Sequence, residues 1–196
     1  MGVPFRNPDP MTAEEFFAFT ATRPDDEKWE LIEGEPVRNE PSNYLHQKVL
    51  VNALVALMGI ERQQKQRGVR AWEALPSFGV RLSPNNVAVP DVMIRPFDKL
   101  DGVECDDMIV AFEILSPSTA DRDLRWKRKA YAELASVRHY VVIAQDAVEV
   151  VAYDRKTGFA ERRLERIDAS LDLPALSISV PLAEIYLDCG LEKNPS

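Results

Sequence analysis

Val87-Ala88-Val89-Pro90-Asp91-Val92-Met93-Ile94 and Met108-Ile109-Val110-Ala111-Phe112-Glu113-Ile114-Leu115 are two apolar runs, each carrying a single carboxylate. Runs this rich in β-branched residues, bounded by Pro and Gly, predict strands buried on both faces. A carboxylate inside such a strand is costly unless it is paired or meets a cation. Two of them on neighbouring strands point to a shared metal ion, and the functional reading starts from Asp91 and Glu113. The second run leads into Ser116-Pro117-Ser118-Thr119 and then a polar, basic stretch containing Lys127 and Tyr131.

Outward from these runs the pattern is that of a mixed α/β (α+β) chain. Ser118 or Thr119 is placed to cap a helix reaching about Ala135, with Leu124, Lys127, Tyr131 and Leu134 at helical spacing. Upstream, Val69 to Glu73, Phe78 to Leu82 and Val87 to Arg95 read as successive strands, and Pro96 to Asp107 as an acidic loop. A long helix is expected from Asn43 to about Gln66, through Val49, Val51, Leu54, Val55, Leu57 and Met58, with Ser42 or Asn43 as cap. His46 sits in its first turn and reads as a structural, hydrogen-bonded residue. Trp29 to Val37 reads as a hairpin turning at Gly34, with Glu30, Glu33 and Glu35 mostly solvated edge charges, one of which is within reach of a metal site. Thr12-Ala13-Glu14-Glu15 has capping-box spacing ahead of Phe16, Phe17 and Phe19. Downstream, His139 to Ala144 is a further buried strand, Val148 to Asp154 pairs with Phe159 to Arg163, and two short strands and a short helix follow.

The whole chain bounds the function. Its 196 residues, 45% hydrophobic, fit a single domain over residues 12–190 behind a loose arm, 1–11, rich in Pro, Asn and Asp. No apolar run approaches the roughly 20 residues that span a bilayer, and no signal pattern opens the chain, so a cytoplasmic protein without membrane contact is expected. Cys105 and Cys189 lack metal-site or disulfide spacing. A net charge of −8 counts against a general basic field for nucleic acid. Positive charge is local, in Arg62 to Arg70 and Arg122 to Lys129, and Arg122 and Arg125 are candidate phosphate contacts.

Hard cations such as Mg²⁺ take carboxylate oxygens, backbone carbonyls and water. Such a metal offsets charge building on a phosphate, and a nearby lysine stabilises the same charge. Lys127, on the helix after Glu113, is placed to reach back to the strand end. Plainer readings stand beside these: Asp91 after Pro90 as a turn cap, Glu113 in an ion pair with Arg122 or Arg125, Lys127 paired with Asp123 at i−4, and Tyr131 as a packed residue.

Val89-Pro90-Asp91, then Phe112-Glu113-Ile114-Leu115-Ser116-Pro117-Ser118-Thr119, then Asp123-Leu124-Arg125-Trp126-Lys127 and Tyr131 resemble the Uma-type restriction endonuclease family of the PD-(D/E)XK nuclease superfamily. Trp29-Glu30-Leu31-Ile32-Glu33-Gly34-Glu35 and His46-Gln47 share the likeness, which covers roughly Thr12 to Leu187. The resemblance implies a restriction endonuclease-like mixed β-sheet flanked by helices. It implies Asp91 and Glu113 as metal ligands, the Ile114 backbone carbonyl as a third, and Glu30 as an additional acidic residue. The superfamily lysine two residues after the glutamate is Leu115 here, and Lys127 corresponds to a lysine displaced onto the helix. The expected activity is a Mg²⁺- or Mn²⁺-dependent endodeoxyribonuclease, catalytic through Asp91, Glu113 and Lys127 and working as a homodimer on DNA. The alternatives are an inactive nucleic-acid- or protein-binding module on the same fold, and an interaction protein that dimerises through an exposed Trp29 to Val37 hairpin.

Overall fold

Pro90 decides the architecture, because it ends one strand and separates it from the next. The structure, a computed structural model, describes residues 9–69, 71–98, 102–115 and 122–191, with the side chains of 122–124 outside that description. Most of the 1–11 arm, the helix cap at Ser118 or Thr119, and the side chains of Arg122 and Asp123 therefore lie outside the described residues.

The chain opens with α1 (Ala13–Thr20), held by the capping box: Thr12 N donates to Glu15 Oε2 at 2.8 Å and Glu15 N to Thr12 Oγ1 at 3.3 Å. The hairpin β1 (Trp29–Ile32) and β2 (Glu35–Arg38) turns through Glu33 and Gly34, both at positive φ. Gly34 is required twice over there, since a Cβ would stand 2.3 Å from the Cβ of Pro10. Helix α2 (Tyr44–Gln66) starts at the Asn43 cap and buries His46, Val49, Leu50, Ala53 and Leu57. Val51 and Val55, at helical spacing in the sequence, face out of the molecule at 50% and 61% exposure.

Five strands follow: β3 (Trp72–Pro76), β4 (Gly79–Ser83), β5 (Asn86–Ala88), β6 (Val92–Pro96) and the short β7 (Glu104–Cys105) inside the expected acidic loop. The single strand expected over Val87 to Arg95 is thus two strands, β5 and β6, in two different sheets. Pro90 cannot donate to a ladder, and the chain changes sheets at that point. After β8 (Val110–Leu115), the expected α-helix begins as a π-helical segment, Arg122–Lys127, before α3 (Arg128–Glu133). Next come β9 (His139–Ala144), β10 (Val150–Asp154), β11 (Ala160–Leu164), β12 (Ser170–Leu173), β13 (Ile178–Pro181) and α4 (Leu182–Ile185).

Six strands form the central mixed sheet, in the order β11-β10-β9-β8-β6-β3, with β8 and β9 parallel and the other neighbours antiparallel. A five-stranded sheet, β2-β1-β5-β4-β7, stands beside it, and β12 and β13 pair separately. Both faces of the central sheet are covered. Val92, Phe112, Ile114, Val141 and Ile143 pack with Val49 and Leu57 of α2 and with Leu182 and Ile185 of α4. Met93, Ala111, Tyr140 and Val142 pack with Tyr131 of α3 on the other face. This is the mixed α+β arrangement that the apolar runs predict. Within the hairpin, β1 lies inside its sheet, between β2 and β5, with Glu30 and Leu31 fully buried, while β2 is the edge strand. No helix among the described residues is long and apolar enough to cross a membrane.

Candidate functional site

Where the two sheets meet lie two groups of buried charge: Glu113 and Glu30 with Lys127 and Tyr131, and Asp91 with Lys28 and His46. Asp91 follows the Pro90 break, Glu113 lies in β8, and Glu30 comes from β1 of the other sheet. Phe112 is opposite Val92 in the β6–β8 ladder. Two residues on, Ile114 would face Pro90, whose nitrogen has no hydrogen to offer. The regular ladder stops there, and Ile114 N donates instead to Asp91 Oδ2 at 2.8 Å. The Asp91 carboxylate, as acceptor, thereby ties the start of β6 to β8.

Asp91 has two further partners. Lys28 Nζ lies 2.9 Å from Oδ1, and His46 Nε2, from the first turn of α2, lies 3.2 Å from Oδ2. Burial alone would raise the carboxyl pKa, but the His46 hydrogen bond and the Lys28 charge outweigh it and hold Asp91 well below the usual carboxylate range. His46 Nδ1 is buried with no hydrogen-bond partner among the described residues.

Glu113 and Glu30 share Lys127, whose Nζ is 2.7 Å from Glu113 Oε1 and 3.0 Å from Glu30 Oε1. Tyr131, one helical turn after Lys127, donates its hydroxyl to Glu113 Oε1 at 2.8 Å. Burial first, then the Glu113 and Glu30 carboxylates, push the phenol well above its ordinary value, so it stays a donor. Val89 N also donates to Glu30 Oε1 at 3.0 Å. Glu113 is thus held by Lys127 and Tyr131, and Lys127 turns inward to two glutamates, while the side chains of Arg122 and Asp123, named in the plainer readings, lie outside the described residues.

The structure therefore joins Glu113, Glu30 and Lys127 in one cluster and ties Asp91 to it through the Ile114 amide. The sequence reading leaves Lys28 out, sets His46 aside as structural, and treats Tyr131 as packing. Strand alternation carries a signal for Lys28, since Lys28 and Glu30 flank Trp29 and point to the same face. For His46 the cap at Asn43 fixes its place in the first turn, but only the packing of α2 against the sheet sets which carboxylate it meets. Arg125 is exposed.

Asp91 and Lys28 line an open cleft of about 710 Å³ between α1, the hairpin and the start of α2. Its wall is acidic: Asp25, Asp26, Glu27, Glu40 and Asp91 face Lys28 and Arg38. Among the described residues no three His, Cys, Asp or Glu side chains converge as a ready-made metal cage. The donor chemistry nonetheless fits a hard cation. Two carboxylates are linked through the Ile114 amide, and an ammonium already sits on Asp91 Oδ1 facing the cleft.

A family model described as "Uma2: Putative restriction endonuclease" matches residues 13–187. Among solved structures, the chain is similar to a protein described as a putative nuclease belonging to DUF820 from Anabaena variabilis, at 14% identity and a TM-score of 0.74. That alignment covers 90% of this chain and 98% of the other, and it shows a shared fold. A comparison with curated proteins finds no match.

Proposed function

Because the chain belongs to this family of restriction endonucleases, we propose that it is a Mg²⁺- or Mn²⁺-dependent endodeoxyribonuclease hydrolysing phosphodiester bonds of DNA. The observation that carries the reading is the Asp91–Ile114–Glu113 link, in which a buried carboxylate bordering an open cleft is bonded to the residue next to a second buried carboxylate on the adjacent strand. Asp91, Glu113 and the Ile114 carbonyl would hold the cation, with Glu30 as a further acidic neighbour. When bound, a divalent cation offsets negative charge building on a phosphate and acidifies a water. The acid-lined cleft supports the need for one, since a phosphate entering it meets more carboxylates than cations.

The chain's own groups would position and neutralise. Lys127 balances Glu113 and Glu30 and, with Tyr131, fixes the Glu113 carboxylate in one orientation. His46 and the Ile114 amide do the same for Asp91. Water attacking phosphorus in line requires no covalent enzyme intermediate. Arg122 and Arg125, on the segment leading to Lys127, would hold the flanking backbone phosphates. Cutting both strands with one site per chain calls for two copies, so a homodimer belongs to the proposal.

Nicking of plasmid DNA with Mg²⁺ or Mn²⁺ is the test. Activity should disappear in Asp91→Asn and Glu113→Gln while both proteins stay folded; cutting that survives Asp91→Asn overturns the assignment. The second reading is a binding module without hydrolysis. The burial of Lys127, 1% exposed and held by two carboxylates, favours it, because that ammonium is turned away from the cleft.

A further inference from the structure

The two lysines of the site stand in different surroundings. The Lys127 side chain is 2% exposed and its partners are 0% and 3% exposed, so its ammonium is sealed in. Lys28 is 29% exposed, lines the cleft, and reaches Asp91 Oδ1 from the solvent side. The other oxygen, Oδ2, already serves His46 and the Ile114 amide. Oδ1 is thus the oxygen through which Asp91 meets the cleft, and Lys28 is its cation.

We propose that Lys28 is a displaceable counter-cation: its ammonium holds Asp91 Oδ1 until a divalent cation takes that oxygen, and it is then released into the cleft to meet an anionic phosphate. The inference rests on the proposed function in taking Asp91 as a ligand of a hard cation. An ammonium and a divalent ion compete for one carboxylate oxygen, because the two positive charges repel at contact distance. The exchange costs little, since the ammonium is partly hydrated already and sits on a flexible four-carbon stem. Release also puts one free positive charge into a wall where five carboxylates face two cations.

Calorimetric titration with Mn²⁺ tests this on the full chain. Lys28→Met should bind Mn²⁺ roughly tenfold more tightly than wild type, the scale of losing one partly exposed competing ion pair. Lys28→Arg, which keeps the competing charge, should not tighten, and the gain should vanish in Lys28→Met/Asp91→Asn. Lys28→Gln replaces the methionine variant if that protein fails to fold by circular dichroism. Unchanged or weaker affinity in a folded Lys28→Met protein overturns the proposal, as does a gain that survives loss of Asp91 or the absence of Mn²⁺ binding by every variant. If Lys28→Met tightens Mn²⁺ binding but wild type cuts no DNA, the counter-cation role stands and the nuclease reading falls.

Discussion

Asp91 and Glu113 stand on adjacent parts of one sheet at 6% and 2% exposure, yet their charges are compensated in opposite ways. Glu113 belongs to a sealed cluster with Glu30, Lys127 and Tyr131, in which no side chain contacts solvent appreciably. Asp91 is buried behind, held by His46 and a backbone amide, and open in front, where Lys28 borders the cleft. A fully desolvated ion cluster cannot lose a member without leaving an uncompensated charge in a low dielectric. A partly hydrated pair can exchange partners, because water and other cations substitute for either side. The sealed half therefore resists the loss of any member, and the open half is able to exchange one.

The severest test is to remove the cation from the sealed half. Lys127→Met leaves Glu30 and Glu113 facing each other without their ammonium and should destabilise the fold by about 3–5 kcal/mol. Urea denaturation measures it, and a double-mutant cycle with Glu30→Gln should return part of the loss as coupling between the two. A loss below about 1 kcal/mol, the scale of a surface pair, would show that water enters this cluster and would erase the contrast.

Tyr131→Phe is the next step down. It keeps the ring packed against Tyr140 but removes a buried donor to a carboxylate, a change of about 1.5–3 kcal/mol. It also has a pH signature. A phenol whose folded pKa is raised contributes stability that is present below its unfolded value near 10 and lost as pH rises beyond it. Wild type should weaken above pH 10, and Tyr131→Phe should weaken less steeply there. Asp91 gives the opposite sign. Its folded pKa is depressed below the ordinary 3.8, so its contribution is present above that value and lost on further acidification. Acid unfolding of Asp91→Asn should accordingly show a shallower dependence on pH below about 4 than wild type.

The sealed half was far more legible in the sequence than the open half. Apolar runs around Asp91 and Glu113 announce buried strands because burial on both faces leaves no alternation to confuse the pattern. Lys127 and Tyr131 are four apart, so a helix after Glu113 brings both to one face. What remained hidden depends on contacts between distant elements. Val87 to Arg95 reads as one strand until Pro90 is seen to hand the chain from one sheet to the other. Glu30 looks like an edge charge in a hairpin, because nothing local says that β1 will be enclosed between β2 and β5. The π-helical turn at Arg122–Lys127 has no local signature either, and it delivers Lys127 to two glutamates from two different sheets. Arg95 shows the same limit elsewhere: it is 3% exposed inside an apolar strand and is held by Glu73 and Asp107, a pairing set wholly by strand register and loop path.

The smallest expected effect sharpens the contrast most. Lys28→Met removes an ammonium 2.9 Å from a buried carboxylate, a distance that by itself suggests a strong interaction. Lys127 stands at comparable distances, 2.7 and 3.0 Å, from its own partners. If distance set the energy, the two lysine variants would lose similar stability. If solvent exposure sets it, Lys28→Met should cost less than about 1 kcal/mol, since water takes over part of the role of the ammonium at the cleft. Asp91 would still keep His46 and the Ile114 amide. Urea denaturation of the two variants side by side decides between these accounts. A several-fold larger loss for Lys127→Met assigns the energy to desolvation, and equal losses would make Lys28 as much a part of the scaffold as Lys127.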